Sequence, residues 1–150
     1  MPTGAEPHDG PYLAMAVFCD RVLQENNGVL SVIRVVDRIN VSGGGGAPEE
    51  MPAIPLQLTA VLSFKSGFAK GKYTITLQPV TPSGKVLSPS KMQALFEGDD
   101  RGVNLIVNIA LSVSEEGLYW FDLLVEEQLV TRMPLRILYQ RTGGGATPNS

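Results

Sequence analysis

The chain has 150 residues, 43% of them hydrophobic and 18% charged, so it is long enough to bury the core of one domain and too apolar to be disordered by composition. A net charge of -3 with scattered lysines and arginines argues against a phosphate-binding surface, which needs basic residues gathered on one face. No apolar run approaches the ~20 residues of a membrane helix, so neither nucleic acid nor membrane is an expected partner.

The opening segment, residues 1–11, reads MPTGAEPHDGP and has no periodicity, which predicts a disordered tail. Glu6 and Asp9 stand before the first apolar run, where a secretory signal would carry positive charge. The single cysteine, Cys19, cannot form an internal disulfide, which fits a reducing cytoplasm.

From Ala16 to Ile39 the sequence AVFCDRVLQENNGVLSVIRVVDRI reads as a hairpin. A three-residue loop Asn26-Asn27-Gly28 sets Phe18 opposite Val36, Cys19 opposite Val35, Asp20 opposite Arg34 and Val22 opposite Val32. A two-residue loop would instead put Arg21 opposite Arg34, a like-charge pair. Val41 to Pro52, with four successive glycines, predicts a mobile irregular connection and a crossover between sheets.

Leu56, Leu58, Ala60, Leu62 and Phe64 alternate on one strand face, with Val61 outward, and Tyr73, Ile75 and Leu77 do the same further on. The glycine-containing KSGFAKG between them predicts a turn that pairs the two as neighbours. TPSGK is a further turn and KMQALFEG a short strand. Val103 to Val113 alternates again, and so does Leu118 to Glu126, in which Tyr119, Phe121, Leu123 and Val125 share the core face. A loop Glu115-Glu116-Gly117 would pair them as a hairpin with Val113 opposite Tyr119. PLRILY closes the pattern with Leu135, Ile137 and Tyr139, Pro134 marking a strand start, bulge or edge, and residues 142–150 form a second disordered tail.

About eight short strands at turn-punctuated spacing predict an all-β fold, a two-sheet antiparallel β-sandwich over residues 12–141 of the immunoglobulin-like or C2-like kind.

Little in this pattern carries chemistry. A nucleophilic Cys19 would need a base, and the only histidine is His8 in the tail, so Cys19 reads as a small buried hydrophobe. Asp99, Asp100 and Asn104 could offer oxygen ligands to calcium, but they lack the alternate-residue carboxylate spacing of a helix-loop-helix calcium site, and a solvated turn is favoured. Glu49-Glu50, Glu115-Glu116 and Glu126-Glu127 fall in turns or a loop and solubilise them. SGGGGAPEE lacks the GK[ST] ending of a phosphate loop, and one His with one Cys is too few for a zinc site. No cofactor and no catalytic residue are expected. Outside the predicted core face, Trp120 and Leu124 on one strand, with Ile106 and Ala110 on its expected partner, predict an apolar patch for a protein partner or for self-association, unless a helix or loop covers them or they are scattered.

The Cys19-Asp20 strand, the turn at ENNG, VLSVIRVVDRI and the late EEGLYWFDLLVEEQLVTRMPLRI together resemble a family of small uncharacterised bacterial proteins. The resemblance implies a compact β-sandwich, supplies no catalytic residue, and implies a small residue where this chain has Arg34. The expected function is that of a non-enzymatic module that binds a protein partner or assembles with itself. The alternative is a module binding a small ligand or calcium through the end loops 41–52 and 97–104.

Overall fold

The computed structural model describes residues 10–44 and 46–141. The disordered tails expected from sequence lie, apart from Gly10 and Pro11, outside the described residues.

The chain is all-β: β1 (Tyr12–Gln24), β2 (Leu30–Val36), β3 (Arg38–Gly43), β4 (Ile54–Val80), β5 (Ser90–Val113), β6 (Gly117–Val125) and β7 (Gln128–Arg141). These join in a single seven-stranded sheet of order β2-β1-β4-β6-β7-β3, with β5 also paired to β4. The two separate sheets and eight strands expected from sequence are therefore corrected to one continuous curled sheet. Its halves face each other: Phe18 of β1 meets Phe121 of β6 edge to face at 4.8 Å, and Phe64 of β4 meets Phe96 of β5 at 6.0 Å. Such pairs add about 1 kcal/mol each beyond the area they bury.

The curl comes from two long strands, β4 of 27 residues and β5 of 24. KSGFAKG does not reverse the chain as expected. It bends β4, through register shifts between Lys65 and Lys70, and β5 bends beside it. Gly67, Gly98 and Asp99 take φ of 60°, 91° and 57°, the left-handed values that let an extra residue kink a strand without ending it. Ser66 is fully buried in the bend and its hydroxyl donates to the Arg101 carbonyl at 2.8 Å. Leu56–Phe64 and Tyr73–Leu77 are thus two halves of one strand, each paired to β5 rather than to each other.

The expected hairpin between Val103–Val113 and Leu118–Glu126 is also corrected. Among the described residues β5 pairs only with β4, and β6 lies between β4 and β7, with Ile75 opposite Val125 and Tyr119 opposite Leu135. The segment after Val113 crosses between the facing halves instead of turning within one. Tyr119 fixes the crossing: its ring is 1% exposed, its hydroxyl donates to the Glu115 carbonyl at 2.8 Å and accepts from the Glu115 N–H at 3.3 Å. A tyrosine bonded to the backbone a few residues upstream at such a corner is a recurrent device of β-sandwiches.

The faces read from alternation hold. Phe64, Ile75, Phe121, Leu123, Leu135 and Ile137 are all buried in one core cluster. Val61, expected to face solvent, is instead 0% exposed, flanked on the outer face by Val17 of β1 and Ile106 of β5. Residues 41–43 belong to β3, which shortens the irregular connection and pairs in parallel with β7, Val41 opposite Tyr139. The β1–β2 hairpin takes the expected register, Phe18 to Val36, Cys19 to Val35 and Val22 to Val32. Its loop closes by Glu25 N–H to the Val29 carbonyl and Gly28 N–H to the Glu25 carbonyl, both 2.9 Å, with Gly28 at φ 86°.

Candidate interaction surface

Cys19 is buried in the sheet, and Asp20 is exposed beside it on the same strand. Cys19 is 1% exposed between Val35 and Thr59, and burial pushes its thiol pKa up, so the thiolate a nucleophile needs is disfavoured. Asp20 meets Arg34 at 3.1 Å across the hairpin, with both side chains largely in solvent. Arg34 sits at φ 60°, a left-handed value that glycine occupies freely and arginine does not.

Of the calcium-ligand candidates, Asp99 and Asp100 lie in the bend of β5 and are exposed, beside an ion pair of Glu97 with Arg101 at 3.3 Å. Asn104 stands on the strand beyond, and its side-chain oxygen already accepts the Ser63 hydroxyl at 2.7 Å. Among the described residues, no three His, Cys, Asp or Glu side chains gather into a metal-holding group.

The residues read as one apolar patch fall on two different surfaces. Trp120 and Leu124 lie on the outer side of β6, opposite Val80 and Thr76 of β4. There the Arg132 guanidinium stacks over the indole, 5.0 Å from its centroid, while its Nε donates to Asp122 at 2.6 Å. Ile106 and Ala110 lie on β5 opposite Val61 and Gln57, in the other half of the sheet. Sequence reasoning joined the pairs because it paired β5 with β6.

Around Ile106 and Ala110 the second half of β5 is an edge strand. Its register with β4 runs unbroken from Ile54/Val113 to Lys65/Gly102. Pro55, opposite Ser112, has no N–H to give, so that pair is a non-hydrogen-bonded one. Alternation then turns the backbone N–H and C=O of Val103, Leu105, Val107, Ile109, Leu111 and Val113 toward β4. The same groups of Asn104, Ile106, Asn108, Ala110 and Ser112 point away from it, and no backbone group of another described element bonds to them. No charge, proline or bulge interrupts Val103–Val113. Natural sheets use those devices to stop edges pairing with other chains. Alternation in VNLIVNIALSV was legible as a strand, whereas its edge position was not.

A second opening lies where the curl leaves β1 and β7 unpaired to each other, a cleft of ≈ 320 Å³ between Leu13–Phe18 and Thr131–Pro134. Pro134 and Arg132 stand on that edge of β7.

The chain is similar to a solved immunoglobulin-like protein from Pseudomonas aeruginosa, at 12% identity over 89% of this chain and 99% of that one, with a TM-score of 0.38. No curated protein matches it in sequence. The Cys19-Asp20 pair is not confirmed as a family motif. A family model does match residues 14–138, and on that match the chain belongs to a family of unknown function (DUF6941).

Proposed function

We propose that this protein is a non-enzymatic cytoplasmic interaction module, an immunoglobulin-like sandwich built from one continuous sheet, which engages a protein through strand pairing. One observation carries this reading: the unblunted edge of β5, whose outward backbone groups at Asn104, Ile106, Asn108, Ala110 and Ser112 have no partner strand among the described residues. An extended segment added there satisfies those groups, and the uncharged side chains of Ile106 and Ala110 supply contact on the outer face. Trp120, held by Arg132, offers a separate contact in the other half of the sheet.

The test is photo-cross-linking in the native cell from a reactive residue placed at Ala110, with the hairpin tip at Val29 as control. Protein adducts from position 110 and none from position 29 are expected. Absence of any adduct at 110, in a protein that folds and accumulates normally, sinks the reading.

A further inference from the structure

We infer that the occupant of the β5 edge is a second copy of this chain, paired antiparallel about a two-fold axis at Asn108. The inference deepens the proposed function and rests on it.

Self-pairing demands that a strand be complementary to its own reverse, and Val103–Val113 meets that demand at every position. About an axis at Asn108, Asn108 meets its copy, Ile106 meets Ala110 and Asn104 meets Ser112. All five outward-pointing residues, each with one N–H and one C=O, then engage in hydrogen-bonded pairs. Large faces small at Ile106 and Ala110, and polar faces polar at Asn104 and Ser112. On the inner face Val107 meets Ile109, Leu105 meets Leu111 and Val103 meets Val113. Val103, Leu105 and Leu111 are only half-buried in the single chain, so pairing extends the apolar layer over side chains now left at its margin.

Charge points the same way. A strand carrying a lysine or glutamate would set like charges near each other across a two-fold axis, a destabilising arrangement. This stretch carries none, although 18% of the chain is charged and β7 bears Arg132, Arg136 and Arg141. The asparagines do not obstruct the approach, because Ser63 bonds Asn104 at 2.7 Å and Thr59 bonds Asn108 at 3.4 Å, tying both side chains back over β4.

The experiment uses the full chain with Cys19→Ala, so that introduced thiols are the only ones. Asn108→Cys places two thiols on the axis at the ~5.5 Å Cα separation of a hydrogen-bonded pair, within disulfide reach. Under mild oxidation it should give a covalent dimer of twice the 16.1 kDa chain mass. Ile106→Cys alone should not, since its copies are displaced by four residues, whereas Ile106→Cys mixed with Ala110→Cys should. Light scattering should find the unmodified chain dimeric and Ala110→Lys monomeric, the variant still unfolding cooperatively at a melting temperature that no longer depends on concentration.

A chain that stays monomeric at every concentration, or cross-links indifferent to position, overturns the two-fold pairing. In that event photo-adducts from position 110 to a different protein would leave the interaction reading standing. A monomer without any adduct would remove both.

Discussion

Replacing Tyr119 with phenylalanine removes one oxygen atom and nothing from the packed ring, so it isolates the bond that fixes the crossing between the two halves. The hydroxyl donates to the Glu115 carbonyl at 2.8 Å and accepts from the Glu115 N–H at 3.3 Å. A lost hydrogen bond costs roughly 0.5–1.5 kcal/mol net, and more where the deserted groups stay dry. Glu115 is half-buried, so water recovers part of the loss and the expected cost is about 1–2 kcal/mol. For a chain of this size that lowers the melting temperature by about 3–6 °C. Urea unfolding followed by the single tryptophan, Trp120, measures it, with a lower midpoint and an unchanged slope expected.

Tyr119→Phe also makes a prediction in pH. Burial raises the Tyr119 pKa in the folded state, outweighing the lowering effect of its bond to the Glu115 backbone. Charging the phenol is therefore easier in the unfolded chain, and the native chain loses stability as pH climbs above about 10. Tyr119→Phe should lose less over that range. Coincident midpoints at pH 7, or identical decline of both proteins in alkali, would refute the idea that this hydroxyl pins the crossing.

Three further outcomes follow from the geometry. At Arg34, with φ 60°, Arg34→Gly should change stability little, because relief of a left-handed arginine offsets the exposed ion pair, worth at most about 1 kcal/mol. Arg34→Val should cost about 1–2 kcal/mol there, although strand propensity alone favours valine, and the reverse order would show the strain to be absent. Cys19, 1% exposed with its pKa raised first by burial, should react with a thiol reagent slowly in native protein and fast once unfolded; equal rates would overturn its burial. Millimolar calcium should leave the melting temperature unmoved, since Asn104 is engaged by Ser63 and lies on the strand beyond the bend that holds Asp99 and Asp100. An ion at about 100 times its dissociation constant would add about 2.7 kcal/mol, and a rise of that size would restore the loop as a site.

The sequence by itself determined the local features. Alternation assigned Leu62, Phe64, Ile75, Phe121 and Leu135 to the core, because a strand's period of two leaves no other way to hide them. Asn26-Asn27-Gly28 set the register of β1 and β2, because a tight turn involves only neighbouring residues and one glycine able to take positive φ. Alternation says which face a residue takes and is silent on which strand lies alongside. Pairing each strand with its neighbour in sequence therefore failed at Lys65–Gly71, where bulges bend a strand in place of reversing it, and at Glu115–Gly117, where the chain crosses between halves. Those two long-range choices depend on how the core closes, with Phe18 over Phe121 and Ser66 tied to Arg101, contacts between residues far apart in the chain. They separated Trp120 from Ile106 and made Val103–Val113 an edge. Only the tertiary structure could decide that, because whether a strand has one neighbour or two is a property of the assembled sheet.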